Sequence, residues 1–182
     1  MSERYKIHVA HELYFITVTV IDWVDLLEKA YYKDIIINGF KYCQKEKDLH
    51  VHAFVIMSNH YHAIVSFNNT PLSDIMRDMK KYTSKQLINT IKDGTDSRKV
   101  WLLKKFEFAQ KQSQRGKYYK VWQDGFHPVL LSDNIMIEQR LDYLHNNPVK
   151  AGLVYKPEDY VYSSASSYCG LPDTLLKLNL ID

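Results

Sequence analysis

The chain has 182 residues, of which 46% are hydrophobic and 25% charged, a balance typical of a globular domain with a core of ordinary size. No run of 18 apolar residues occurs, and the charged N-terminal segment lacks the apolar stretch of a signal peptide, so we expect a cytoplasmic protein with no membrane partner. We expect a single domain over residues 1–182, in which Cys43 and Cys169 remain reduced thiols because they match no metal or redox spacing.

The first third of the chain predicts strands and one helix. Residues 12–20 are rich in aromatic and β-branched side chains and predict a strand, and residues 25–43 repeat apolar side chains at roughly helical spacing. Two β-rich runs follow, "LHVHAFVIMS" and "HYHAIVSF", separated by Ser58 and Asn59, which tolerate tight-turn geometry. We therefore predict an antiparallel hairpin.

Residues 70–92 predict a second helix, with Ser73 as a candidate N-cap. On this helix Arg77, Lys81 and Lys85 recur at every fourth position. Because residues four apart lie on one helical face, the three cations form a single basic stripe.

Positive charge is concentrated in residues 76–120, which hold 13 Lys and Arg against 4 Asp and Glu and leave the rest of the chain net negative. A basic excursion rich in aromatic residues, at about residues 93–120, contributes Lys104, Lys105, Arg115 and Lys117. Such a concentration is expected where a protein meets a polyanion, since each phosphate that is neutralised releases condensed counterions. A solvated helix and loop surface explains the same charges, so both interpretations stay open here.

The last third predicts a strand over residues 119–131 with an irregular centre, then a helix over about residues 133–147, capped by Ser132 or Asp133 and ending before Pro148. Taken together, the elements favour an α+β fold with a βαββαβ-like layout. We predict a ferredoxin-like sandwich in which helices cover one face of a central antiparallel sheet.

His60 and His62 are the first candidate site. In a strand, residues two apart point to the same face, so the two imidazoles lie side by side and Tyr61 points to the opposite face. Two imidazoles do not close a metal site, because a catalytic divalent ion also needs a third protein ligand and open positions for substrate. His50 and His52 show the same alternation, so two ordinary histidines on a sheet remain an alternative.

Tyr143 and Asn147 are the second candidate, because they lie four residues apart on the last predicted helix and share a face. The amide oxygen could be a third metal ligand, and the phenol oxygen could attack a phosphate. The alternative is that Tyr143 packs in the core beside Leu141 and Leu144, while Asn147 ends the helix.

Four segments, in this order, resemble a known family: "VIMSNHYHAIVSF", the basic helix "MRDMKKYTSKQLIN", "VWQDGFHPVLL" and "LDYLHNNPVKAGLVYKPEDYVYSSASSY". Over about residues 12–170 the chain is similar to the single-tyrosine HUH transposases, and within them to the REP-associated tyrosine transposases and their insertion-sequence relatives. The resemblance implies that His60 and His62 bind Mg²⁺ or Mn²⁺, that Tyr143 is the nucleophile, and that Asn147 is a further metal ligand.

The resemblance also implies the reaction, which is cleavage and rejoining of single-stranded DNA through a 5′-phosphotyrosine link that a 3′-hydroxyl reverses. The implied partner is single-stranded DNA with hairpin ends, in the bacterial cytoplasm and at the nucleoid when DNA is bound. Some relatives work as homodimers and others as monomers, and the sequence does not indicate which state this chain adopts. The DNA-binding residues that we expect are Arg77, Lys81, Lys85, Lys104, Lys105, Arg115 and Lys117.

This chain departs from the family pattern in two places. Tyr61 stands between the two histidines, where a smaller aliphatic residue is usual, and Asn147 stands where relatives of the insertion-sequence type have glutamine. A large aromatic residue still suits the apolar back face of the strand, whereas the shorter arm of asparagine weakens its case as a ligand.

Several alternatives stay open. Tyr82, with the amide Gln86 at i+4, competes with Tyr143 for the role of nucleophile. A catalytically silent DNA-binding protein would keep the basic surface without cleaving, and an HUH relaxase or replication initiator would share the chemistry but is disfavoured by the short chain without a helicase module. An unrelated metal hydrolase built on His60 and His62 is disfavoured because no Asp or Glu is spaced to complete the pair locally.

Overall fold

The structure is a computed structural model and describes residues 10–113, 118–171 and 175–181. Its strands are β1 (Tyr14–Thr19), β2 (Leu49–Ile56), β3 (His60–Phe67) and β4 (Val129–Leu130). Its α-helices are α1 (Ala30–Glu46), α2 (Leu72–Asp93), α3 (Lys99–Lys111), α4 (Asn134–Lys150) and α5 (Ala165–Tyr168). Within these described ranges, no helix is both long and apolar enough to cross a membrane.

The strands form an antiparallel sheet in the order β2-β3-β1-β4. The predicted hairpin joins β2 to β3, and β3 also pairs with β1, in a register that sets Thr17 opposite His62 and Thr19 opposite His60. Helices connect β1 to β2 and β3 to β4. The predicted α+β fold with a βαββαβ-like layout and a central antiparallel sheet is therefore confirmed.

Both faces of the sheet are apolar, and helices cover both. On one face, Ile16 and Tyr61 point into a large core shared with α1, α2 and α3. On the other face, Phe15 and Ile64 pack against Leu144 of α4 in a smaller cluster. The expectation of helices on one face holds for α1, α2 and α3, whereas α4 lies on the opposite face. Strand alternation leaves apolar side chains on both faces, so each face needs a cover.

Two helix starts differ from the prediction. The helix predicted from residue 25 begins at Ala30, because a 3₁₀ turn, Leu26–Glu28, comes first; another 3₁₀ turn, Ile21–Trp23, precedes residue 25. Helix α2 has Pro71 at its N-cap position and no side-chain cap, so Ser73 does not cap it. The fixed φ of proline suits a helix start.

The strand predicted over residues 119–131 is reduced to β4 and to an isolated bridge between Val20 and Trp122. Gly125 and His127 have φ angles of 75° and 45°, which interrupt extended pairing between these two contacts.

The start of α4 agrees with the prediction, and its end does not. Asp133 caps the helix, since its carboxylate oxygen accepts a hydrogen bond of 2.8 Å from the backbone N–H of Met136. The helix continues through Pro148 to Lys150. A proline this close to the end removes one helical donor, and its carbonyl accepts from the N–H of Leu153. Asn147 therefore lies within the helix and does not end it.

Candidate functional site

The histidine pair lies at the start of β3. The ring centroids of His60 and His62 are 4.7 Å apart. Between them in sequence, Tyr61 points the other way and is fully buried, with ring centroids 5.5 Å from Phe40 and 5.8 Å from Trp122. The structure therefore places the two imidazoles side by side, as strand alternation predicts.

His62 is buried, and its two ring nitrogens have different surroundings. Its Nδ1 lies 2.8 Å from the hydroxyl of Thr17, the residue opposite it on β1. Its Nε2 is buried and has no hydrogen-bond partner in the part of the chain that the structure describes. Burial is the main cause that lowers the pKa of His62 to about 3, and the nearby His60 and Arg140 lower it further, so the ring is neutral at physiological pH. When Nδ1 donates to Thr17, Nε2 offers its lone pair to a metal ion.

His60 resembles His62 in its hydrogen bonding and in the direction of its pKa shift. Its Nδ1 lies 2.7 Å from the side-chain oxygen of Asn59, an acceptor, so Nδ1 carries the proton and Nε2 keeps its lone pair. Burial lowers the pKa of His60 as well. Both imidazoles are thus neutral and oriented by a neighbour through Nδ1, which is the usual state of metal-binding histidines.

Helix α4 brings Tyr143 of the same chain to the histidine pair. Its ring centroid lies 5.3 Å from that of His62 and 6.1 Å from that of Phe15, and the Nζ atom of Lys150 lies 5.7 Å from the Tyr143 ring. Tyr143 is 39% exposed, whereas its neighbour Leu144 is fully buried. The helix therefore uses Leu144 for the core and leaves Tyr143 at the surface beside His62.

Tyr82, the competing tyrosine, lies elsewhere. It is on α2 and stacks on Tyr42 of α1 at 6.3 Å, on the face of the sheet opposite His62. The described contacts bring Tyr143 to the histidines and leave Tyr82 away from them.

Asn147 lies one helical turn after Tyr143 and is half-buried, and its side-chain nitrogen is 3.5 Å from the Tyr143 carbonyl oxygen. Among the described residues, no group of three or more His, Cys, Asp and Glu side chains is placed to hold a metal ion. A metal site here has to use the two imidazoles with a ligand of another type, so the role of Asn147 stays a prediction.

A hydrogen-bonded link from α4 to β2 holds the tyrosine helix. The Nε2 atom of His145 lies 2.9 Å from the Ser164 hydroxyl, which also accepts a hydrogen bond of 2.9 Å from the backbone N–H of Phe54. The His145 ring packs on Tyr168 with centroids 5.0 Å apart. Burial lowers the pKa of His145 to about 4, so the ring is neutral. Sequence reasoning missed this link because its members are distant in the chain.

Arg140 is a second residue that sequence reasoning missed. It precedes Tyr143 by one helical turn, its guanidinium carbon lies 5.1 Å from the centroid of Phe15, and its charge contributes to the low pKa of His62. The spacing of Arg140 and Tyr143 was readable on the predicted helix, but only the packing shows that both lie near the histidines.

The predicted DNA-binding cations lie mainly on α2 and α3, which cover the opposite face of the sheet from His62. Arg77 and Lys81 line a cavity of about 400 Å³, although Arg77 also pairs with Asp74 and Asp78. Lys85 lines a neighbouring cavity of about 190 Å³ together with Tyr118 and Tyr119. These basic residues do not border the histidine pair.

The cations of the basic excursion divide into three groups. Lys104 is exposed on α3, whereas Lys105 pairs with Asp22 at 2.7 Å. Arg115 and Lys117 lie outside the described residues. The DNA-binding role of all seven predicted cations stays a prediction.

Fold and site together define a ferredoxin-like domain that carries a histidine pair and an exposed tyrosine on one face of its sheet. Residues 13–103, half of the chain, match the family model described as "Transposase IS200 like". The chain therefore belongs to the IS200-like transposase family, as the resemblance in its motifs indicates. The matched region contains His60 and His62, and Tyr143 lies beyond it.

The solved structures add evidence on the fold. One described as "Structure of the REP associates tyrosine transposase bound to a REP hairpin" is similar to this chain, with a TM-score of 0.65 and 18% sequence identity, covering 100% of this chain and 94% of that one. At this identity the likeness shows a shared fold. No curated protein matches the chain in sequence.

Proposed function

We propose that this transposase cleaves and rejoins hairpin-bearing single-stranded DNA through a covalent 5′-phosphotyrosine intermediate. The observation that carries the proposal is the position of Tyr143 beside His62, with ring centroids 5.3 Å apart in the same chain. The solved structure of the similar REP-associated transposase is bound to a hairpin, which supports a hairpin as the substrate class. One chain supplies both the tyrosine and the histidines, so the proposal does not require a homodimer.

The residues fit a divalent metal ion. The Nε2 atom of His62 tests this fit, because it is buried and has no hydrogen-bond partner among the described residues. A buried ring nitrogen in this state is costly unless it binds something. His60, His62 and Asn147 would hold Mg²⁺ or Mn²⁺, and the mixed nitrogen and oxygen donor set suits Mn²⁺ well. A bound ion would polarise the scissile phosphate and offset the charge that develops on it.

In the proposed cleavage step, the phenol oxygen of Tyr143 attacks the phosphorus. The tyrosine oxygen bonds to the 5′-phosphate of the downstream fragment, and the bond from phosphorus to the 3′ oxygen of the upstream fragment breaks. The phenolic proton is balanced by the proton taken up by the new 3′-hydroxyl. Arg140 and Lys150 lie near the Tyr143 ring or its neighbour Phe15 and favour the approach of an anionic phosphate. Because the phosphodiester is exchanged and not hydrolysed, a 3′-hydroxyl can reverse the step and join a new strand.

The test is incubation of a labelled, hairpin-bearing single strand with the protein, with and without Mn²⁺, followed by a denaturing gel. We expect a metal-dependent covalent adduct that Tyr143→Phe abolishes and the matched variant Tyr82→Phe retains. Loss of the adduct in Tyr82→Phe alone would transfer the nucleophile to α2. DNA binding by the parent protein without any adduct would instead favour the catalytically silent DNA-binding protein.

A further inference from the structure

Trp23 is a large aromatic side chain that the fold leaves outside the core at the edge of the site. The residues near it in sequence, Val20 and Val24, are buried in the large core, whereas Trp23 is 57% exposed. Its ring meets that of His60 edge to face, with centroids 5.6 Å apart. An exposed tryptophan therefore stands next to a candidate metal ligand.

The backbone that presents Trp23 is held in an uncommon conformation. Asp22 and Trp23 have φ angles of 50° and 55°, in the left-handed region that residues other than glycine rarely adopt. Two contacts hold this turn: the Trp23 N–H donates to the Val20 carbonyl at 3.1 Å, and the Asp22 carboxylate pairs with Lys105 at 2.7 Å. Strained residues held in this way cluster at ligand-binding sites.

The chemistry of the indole selects one class of ligand. An edge-to-face contact with His60 leaves indole surface open, as the exposure of the ring shows. Exposed aromatic rings bind unpaired nucleobases by stacking, which works for any base because every base has a π-face. Bases in a duplex are already stacked on their neighbours, so the ligand that fits is an unpaired base.

We propose that Trp23 is the stacking platform for an unpaired base of the strand whose phosphate lies at the histidine pair. This inference rests on the proposed function for the position of that phosphate. Trp23 thus positions the strand next to the scissile bond, and its place beside His60 makes the choice of cleavage position depend on a base being unpaired there.

The experiment measures DNA binding in the non-cleaving Tyr143→Phe protein, so that binding is independent of chemistry. Affinity is compared with and without Trp23→Ala for a hairpin-bearing single strand and for a series in which each unpaired nucleotide in turn is abasic. We expect Trp23→Ala to weaken binding by about 5- to 150-fold on the intact strand. The loss should disappear on the one abasic strand that lacks the stacked base. Trp23→Phe should retain most of the affinity, and Tyr155→Ala, which removes an aromatic ring that is 99% exposed, should bind like the parent.

Two results would overturn the stacking platform. One is binding by Trp23→Ala within about twofold of the parent, which includes the case in which neither protein binds the strand. The other is the same fold-loss on every abasic strand, which is what a merely structural role for Trp23 predicts. Absence of a covalent adduct in the protein with Tyr143 intact would refute the proposed chemistry and leave the stacking result unaffected.

Discussion

The two faces of the sheet are covered in different ways. On the face that carries Tyr61, three helices bury a large continuous core, and the tyrosine ring is fully enclosed between Phe40 and Trp122. On the face that carries His62, α4 contributes a smaller cluster around Leu144 and leaves Tyr143 partly exposed. Adjacent residues of β3 thus have different surroundings, since Tyr61 is enclosed in the core and His62 lies in the proposed active site. Mutations on the two faces should therefore separate loss of folding from loss of activity.

The largest expected effect is on the face of the sheet that carries His62. His62→Ala should lower the yield of covalent DNA adduct by about 10³-fold, because the proposed divalent ion would supply several kcal/mol of transition-state stabilisation. The free energy of unfolding should fall by no more than about 2 kcal/mol. Adduct yield on denaturing gels and urea unfolding measure the two quantities. If His62→Ala forms the covalent adduct in the same yield as the parent, His62 is not part of the active site.

On the face that carries Tyr61, a substitution at the neighbouring position of β3 should instead act mainly on stability. Tyr61→Ala should lower the free energy of unfolding by about 3–5 kcal/mol, since it leaves a cavity in the large core. Tyr61→Phe is the matched control and should cost less than about 1 kcal/mol, because the hydrogen bond that the hydroxyl makes among the described residues is a weak one of 4.0 Å to the sulfur of Met79. Chemical unfolding of both variants tests this difference. Equal losses in the free energy of unfolding for Tyr61→Ala and Tyr61→Phe would contradict it.

Asp96, on the side of the sheet covered by α1, α2 and α3, should make the stability of the protein depend on pH. Its buried carboxylate bonds to Arg98, Lys29 and the Tyr32 hydroxyl, and the hydrogen bond from Arg98 is the main cause that holds its pKa well below the usual range. Asp96→Asn should lower the free energy of unfolding by about 3 kcal/mol at neutral pH.

The sign of the pH dependence follows from the lowered pKa of Asp96. Its contribution is present above the unfolded pKa of about 4 and is lost as the pH falls further. The parent protein should therefore lose stability below pH 4 more steeply than Asp96→Asn. Unfolding measured at pH 7 and at pH 3 checks this, and parallel losses in the two proteins would count against it.

The link between α4 and β2 should have a smaller effect. His145→Ala should lower the free energy of unfolding by about 1–2 kcal/mol and reduce adduct yield several-fold, because the helix that carries Tyr143 loses its hydrogen bond to Ser164. Ser164→Ala is the partner variant. The double variant should cost clearly less than the sum of the single ones, and additive costs would show that the two side chains act independently.

The smallest effects are expected for the basic stripe. Lys81→Gln and Lys85→Gln should each reduce the salt dependence of single-strand binding by about 0.7 in the slope of log affinity against log salt. The fold itself should be unaffected, since both side chains are exposed. Lys41→Gln on α1 is a control of the same charge change. If Lys41→Gln changes the salt slope as much as Lys81→Gln and Lys85→Gln do, the effect is one of total charge, and the basic stripe is not a DNA-binding surface.

Sequence patterns predicted the local features of this protein. Strand periodicity placed His60 and His62 on one face and Tyr61 on the other, the Ser58 and Asn59 turn predicted the hairpin, and the Asp133 cap predicted the start of α4. Each of these features depends on residues within a few positions of one another, because periodicity, turns and caps are local interactions. The ordered motifs were also sufficient to indicate the transposase family.

The tertiary structure alone decided which distant residues meet. It placed α4 on the face opposite α1 and α2, brought Tyr143 and Arg140 to His62, set Trp23 beside His60, and left the basic stripe on the other side of the sheet. The physical reason is that both faces of the sheet are apolar, so hydrophobic burial requires a cover on each. Which helix covers which face depends on packing between elements far apart in sequence.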